Sequence, residues 1–349
     1  MKFGVLYDLR NPARPDWHRP WPQFYSGAFE HMQEMENVGF DAISLSEHHG
    51  DPDGYNPGLP VTLTAAALHT NSIRIGTNIV QVPFYNPVLL AEQLAVIDIL
   101  SGGRLDVGLG QVGPTFDMEF PMLGVNPRFR PSLLDEGIDI MQRCWSSDSP
   151  FSYHGKRWHL DNVWINPKPL QEPLPVWVVA AFSAAAMDRV AKRGLNVGGL
   201  GGFFQGLTGG QTWRKWLNGW REACVRNGRE SNYAKIHTFG TCYVTDDPER
   251  AWAKHREGIF EHFHYRRGDV HPYSSLLMDA PPTEPEDIPN WDRIFQTPEQ
   301  AIAEIRAAYE DGGPDELHLM ATRHGMSWAE SAAYLRNFAE KVIPAVRDM

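Results

Sequence analysis

The stretch IRIGTNIVQVPFYNPVLLAEQLAVIDILSGGRLDVGLGQ, Ile73–Gln111, carries a strand, a helix and a second strand in one unbroken run. Ile73–Val82 is rich in β-branched residues and reads as a strand. Asn86 can cap the helix that follows, and Pro87 stands at the first helical position, where its missing N–H breaks no bond. Apolar spacing carries that helix to about Leu100, and Ser101-Gly102-Gly103 ends it. Arg104–Leu109 is the next strand. Two strands joined through a helix in this way form a parallel pair with a crossover.

The same alternation continues in both directions. Lys2–Tyr7, Asp41–Ser46, Val176–Ala180, Asn196–Leu200, His237–Thr245 and Glu316–Ala321 read as further strands. Helical spacing marks Phe24–Val38, Pro60–Thr70, Ala184–Arg193, Trp213–Arg226, Pro248–His262 and Trp328–Val346. Eight strands with helical crossovers predict an α/β fold of the TIM (β/α)8 type, so residues 1–349 are read as a single domain. Two stretches interrupt the pattern. Phe151–Pro169 alternates aromatic residues like an inserted hairpin. Tyr265–Phe295 is rich in Pro and acid without periodicity, which predicts a mobile lid.

The chain has 349 residues, 42% of them apolar, and a formal net charge of −11. With no basic run longer than a pair, it lacks the clustered cations that a nucleic-acid or anionic membrane surface requires. No segment approaches the roughly 20 apolar residues that span a bilayer. The opening MKFGVLYD reads as a buried strand and not as an export signal. Cys144, Cys224 and Cys242 are widely spaced and fit buried thiols in a reducing compartment, so a cytoplasmic location is expected. There is no GxxxxGK[ST], and the glycine cluster Gly198–Gly210 fails the GxGxxG spacing. A nicotinamide domain is therefore not expected, and a small-molecule partner is.

The second strand ends in Glu47, His48 and His49. In a parallel barrel the C-terminal strand ends surround the catalytic mouth, so this triplet belongs there. A metal site, a solvated turn and an organic cofactor site are all compatible with it. Neighbouring residues on an extended chain point to opposite sides. The other strand ends offer only Asp8, Asn78, Gln111 and Ser183 as partners, so no metal is expected.

MKFGVLYD, GFDAISLSEHHGD, the Ile73–Gln111 block, LPVWVVAAFS and QTPEQAIAEI together resemble the bacterial-luciferase-like flavin-dependent oxidoreductases. The resemblance covers almost the whole chain. It implies a barrel that holds flavin at its mouth and an enzyme of the two-component monooxygenase kind. Such an enzyme takes reduced FMN from a separate NAD(P)H:flavin reductase and oxygenates a small organic molecule through a C4a-peroxyflavin. The same family contains dehydrogenases and reductases that use a deazaflavin coenzyme. A non-catalytic flavin-binding barrel is the alternative from another class, and the presence of both His48 and His49 argues against it. Relatives usually pair through barrel helices, so a homodimer is expected.

The resemblance also assigns roles. It makes His48 the catalytic histidine, with His49 as its hydrogen-bonded support. An imidazole suits that work because it exchanges protons near neutrality. Glu47 matches a position beside the flavin ring, and Asn78–Ile79 matches a non-prolyl cis peptide against it. Gly110 and Gln111 match the approach to the ribityl chain. One of Arg128 and Arg130 matches a phosphate-binding arginine, and Ala180 and Ser183 flank the phosphate end. Ser183 could equally be only a helix cap. Trp17 and Trp21 in the first loop, with Gln81 and Phe84 after the third strand, are the candidate substrate wall; packing on the barrel rim would explain the tryptophans equally well.

Overall fold

The computed structural model describes residues 1–113, 116–179, 183–198, 210–264, 283–288, 290–310 and 312–349. Eight parallel strands make the barrel: β1 (Lys2–Tyr7), β2 (Ala42–Leu45), β3 (Arg74–Thr77), β4 (Leu105–Gly110), β5 (Val176–Val179), β6 (Asn196–Gly198), β7 (Ile236–Gly240) and β8 (Glu316–Met320). They pair in the order β3-β2-β1-β8-β7-β6-β5-β4, and Ile75 opposite Leu105 closes the ring between β3 and β4. Around it lie α1 (Trp21–Asn37), α2 (Leu59–His69), α3 (Pro87–Leu100), α4 (Arg130–Ser146), α5 (Ala184–Arg193), α6 (Gly210–Arg226), α7 (Pro248–His264), α8 (Pro298–Glu310) and α9 (Trp328–Asn337).

Alternation along the strands sorts side chains between two environments. On β1, Phe3, Val5 and Tyr7 are fully buried in the core, with Tyr7 bonded to His31 of α1. Gly4 lies against the His318 ring inside the barrel. Asn86 caps α3 by accepting from the amides of Val88 and Leu89. At the far end of α3, Gly102 and Gly103 take φ of 68° and 81°, which only glycine adopts freely. The turn they make aims Arg104 back at α2, where its guanidinium donates to the carbonyls of Ala67, Thr70 and Ile73. One arginine thus satisfies helix-end carbonyls that would otherwise lack partners.

Large rings fill the barrel floor. Trp177 stacks on His237 with centroids 4.9 Å apart and planes within 6°. His318 pairs with Ser44 and with Glu316, each at 2.6 Å. Glycines make room for them: a Cβ on Gly108 would lie 2.2 Å from the Thr77 carbonyl and 2.3 Å from Trp177, and one on Gly198 2.5 Å from Trp177. Burial works to raise the Glu316 carboxyl, but the hydrogen bond and charge of His318, with His237, outweigh it and hold it at about 2. The donor atoms of His237, Glu316 and His318 lie within 4.8 Å of one another. This cluster stands at the strand starts, at the opposite end from Glu47, His48 and His49.

Four sequence expectations need correction. Ile73–Val82 is not one strand: a cis peptide at Asn78–Ile79 interrupts it, and Val80–Gln81 resumes pairing against Leu109 and Gly110. Strand His237–Thr245 likewise divides, its end Tyr243–Val244 pairing with Phe295–Gln296 outside the barrel. That ribbon anchors the end of the expected lid: Ile288 and Ile294 are buried and Trp291 stacks on Trp252 at 4.9 Å. Residues 283–288 and 290–295 are thus packed structure, and 265–282 lie outside the described residues. Finally, α1 begins at Trp21, because Pro22 is tolerated in a first helical turn. The hairpin is present, with Phe151–His154 antiparallel to His159–Val163, and all three cysteines are buried and free.

Candidate active site

The end of β2 delivers Glu47 and His48 to the mouth, and β2's neighbour past β3 supplies their partner. Gln81 donates its backbone N–H to Glu47 Oε2 and a side-chain N–H to the Glu47 carbonyl, each at 2.8 Å. Its second side-chain N–H points at His48 Nδ1, 2.9 Å away. The same nitrogen lies 2.7 Å from Glu119 Oε1. A ring nitrogen cannot accept one in-plane hydrogen bond while donating another, so these partners belong to alternative protonation states. With Nδ1–H donating to the Glu119 carboxylate, Nε2 is free of its proton. With Nδ1 accepting from Gln81, Nε2 carries it. Phe116 stacks on the imidazole at 3.7 Å between centroids, and Tyr55 meets it edge-on at 4.7 Å.

Glu47 is buried and flanked by acid. Burial, with the Glu119 charge adding to it, pushes its carboxyl up to about 7. The Tyr85 hydroxyl, which donates to Oε1, and the Gln81 amide pull the other way without prevailing. His49 sits 3.6 Å from the Glu47 carboxylate, with Phe84 against its edge. His49 thus lies nearest Glu47, while Gln81 and Glu119 hold His48. The turn after Glu47 sends the two rings toward these different neighbours.

Beside His48 the mouth has the form of a ledge. The cis peptide Asn78–Ile79 brings Ile79 against β4, where a Cβ on Gly110 would fall 1.8 Å from Ile79 Cδ1. Gln81 Oε1 and Gln111 Oε1 are both buried there without a hydrogen-bond donor among the described residues. Unsatisfied acceptors of this kind suit a ligand that brings N–H groups. A reduced isoalloxazine carries ring N–H groups that such acceptors would meet, so the residues present fit that group.

The phosphate-end expectations separate. Arg130 reaches this loop, donating to the Val112 carbonyl at 3.4 Å and pairing with Asp117. Arg128 is exposed, and its backbone N–H donates to the capping Asn126 Oδ1 at 3.0 Å. The Ser183 side chain accepts from the Ala186 amide, which is the N-cap geometry. Ala180 lies outside the described residues.

The two tryptophans also part. Trp21 is 39% exposed and packs on His18, Phe24 and Tyr25, with Gly54 pressed against its ring; it serves the rim. Trp17 lies under Arg14 at 4.2 Å and against Gly325, in the wall of a cavity at the ends of β1 and β8. Phe84 packs between His49 and Phe120. Gln81, read only as a substrate contact, is the hub of the polar network. His262, in the last turn of α7, is buried beside Arg10 at 3.3 Å and His324. Sequence reading missed Glu119, Phe116 and Tyr55. The one available signal was a lone acid inside the apolar run MEFPML, Met118–Leu123.

The fold is a parallel (β/α)8 barrel with His48, held by Gln81 and Glu119, at its mouth. The chain belongs to the luciferase-like monooxygenase family, whose model matches residues 1–316. It is 26% identical to the oxygenase component of the flavin-dependent trigonelline monooxygenase of Acinetobacter baylyi, over 99% of this chain and 95% of that one. Its fold matches the oxygenating constituent of 3,6-diketocamphane monooxygenase from Pseudomonas putida, solved with FMN, at TM-score 0.77 and 19% identity, covering 99% and 98% of the two chains. A deazaflavin (F420)-dependent secondary alcohol dehydrogenase matches at TM-score 0.76 and 20% identity, covering 99% of both chains.

Proposed function

We propose that this chain, acting as a single domain, is the oxygenase component of a two-component flavin monooxygenase. It would receive reduced FMN from a separate NAD(P)H:flavin reductase and oxygenate a small organic substrate. The observation that carries this reading is the pair of donor-less glutamine oxygens beside the Gly110 ledge and His48. Bound there, the flavin supplies electrons and activates oxygen. Glu47, Asn78, Gly110 and Gln111 would bed the ring, and Arg130 or Ser183 would meet the phosphate. His48 would lack a proton at Nε2 when Nδ1–H faces Glu119 and hold one there when Nδ1 faces Gln81. The stacked Phe116 ring keeps water from one imidazole face.

The test is an anaerobic titration with reduced FMN followed by admission of oxygen. Micromolar or tighter binding is expected, then a transient absorbance distinct from both reduced and oxidised FMN. Direct reappearance of oxidised FMN at the rate of free flavin would sink the reading. The same ledge suits a deazaflavin ring, so the titration is repeated with F420. Tighter binding of F420, with no oxygen sensitivity, would mark a hydride-transferring enzyme instead.

The homodimer reading has structural support. α2 and α3 leave Val61 (74%), Leu68 (64%) and Leu89 (58%) exposed, with Val96 and Leu100 on the same helix as Leu89. Contiguous apolar side chains on neighbouring helices favour burial against a second copy. Sedimentation equilibrium is expected to give twice the chain mass, and Leu68→Lys combined with Leu89→Lys to give a monomer. A monomeric wild-type protein would refute it.

A further inference from the structure

A second polar cluster occupies the same mouth, one sector away from His48. β1 and β8 are adjacent in the barrel, and the segments that follow them, Asp8–Trp17 and Thr322–Gly325, face each other. Between them lies a cavity of ≈ 50 Å³ lined by Arg10, Asn11, Trp17, Arg323 and His324, among others. One water needs about 10–15 Å³ on such a measure, so the space admits a group of a few heavy atoms.

The two arginines differ in their attachments. Arg10 Nε donates to Asp53 at 2.5 Å, and Asp53 also accepts from His324 Nε2 at 3.1 Å. Burial pushes His324 down to about 4, so it is neutral and leaves Asp53 as the counter-charge of Arg10. Arg323 donates one N–H to Thr241 Oγ1. Among the described residues no carboxylate lies within ion-pair distance of its guanidinium. Asp8 feels its charge from further off, and burial raises the Asp8 carboxyl, which weakens it as a counter-ion. A guanidinium presents five N–H donors in a planar fork matched to a carboxylate, and Arg323 is one of the residues that line the cavity.

Packed rings link the cavity wall to the proposed reaction centre. Arg10 lies over the Tyr55 ring at 5.1 Å, and Tyr55 meets His48 edge-on at 4.7 Å. Trp17 supplies an aromatic wall on the far side. We propose that this cavity is an anion subsite in which Arg323 grips a carboxylate on the substrate, so that the enzyme acts on a small organic acid whose apolar body extends past Tyr55 toward His48. This rests on reading the mouth as the active centre.

Benzoate and benzamide are the probes, because they match in shape and differ in charge. Isothermal titration of the full chain is expected to show benzoate binding and benzamide binding about ten- to a hundredfold more weakly, the span of a charge-assisted bidentate pair. Arg323→Gln should erase that difference by weakening benzoate alone. Equal affinity of the two probes for the wild-type protein, no benzoate binding at all, or undiminished benzoate affinity in R323Q would each overturn the proposal. The wild-type comparison needs no variant, so misfolding of R323Q cannot mask the answer. A parallel titration with reduced FMN separates the two readings. Benzoate discrimination without FMN binding would sink the flavin assignment and leave the anion subsite standing. FMN binding without discrimination would do the reverse.

Discussion

His48→Ala is expected to lower turnover of an oxygenated substrate by about 10²- to 10⁴-fold, the range for loss of a positioned proton-transfer group. Reduced-FMN affinity should change little, because the ledge is built by Gly110, Asn78 and the two glutamine oxygens and not by the imidazole. The substitution leaves a hole between Phe116 and Tyr55 and removes the hydrogen-bond partner of Glu119. Thermal unfolding must therefore be measured beside activity. Glu119→Gln supplies a second reading: it keeps the shape but weakens the preference for Nδ1–H, so turnover should fall with less disturbance of stability. Rapid-mixing kinetics at saturating FMN reports both effects. Undiminished turnover in H48A would remove His48 from the reaction.

Glu47→Gln should change how stability depends on pH. The folded carboxyl titrates at about 7 against an ordinary 4.5. Between those values the folded protein binds a proton that the unfolded chain has released, so stability declines as pH rises from about 4.5 to 7. The full difference is on the order of 3 kcal/mol, since each pKa unit is worth about 1.4 kcal/mol. Glutamine cannot ionise, so the variant should lack that decline and gain on the wild type above pH 7. Denaturant unfolding at pH 5, 6, 7 and 8 checks it. Parallel curves for the two proteins would mean that Glu47 ionises like an exposed acid.

Strand order and the helix that joins β3 to β4 were legible because Asn86, Pro87 and the Ser-Gly-Gly stop are local signals. EHH could be placed at the mouth because the end of a strand in a parallel barrel has one meaning. Glu119 was not legible: it meets His48 from a single helical turn far along the chain, and no periodicity marks such a turn. The observed partners of His48 were hidden for a related reason. Adjacency in sequence says nothing about which neighbour a side chain turns to, and Gln81 and Glu119 were the nearer claimants. The resemblance, unlike periodicity, identified the Asn78–Ile79 bond as cis; strand propensity alone ran Ile73–Val82 straight through it.

The floor of Trp177 stacked on His237, with His318 bonded to Ser44 and Glu316, has one further effect. It turns the barrel into a cup with a single rim, so everything that reacts inside must come and go by the same door. A bulky ring bedded deep against Gly110 would enter ahead of the molecule it serves, and could leave only after the product had cleared the way.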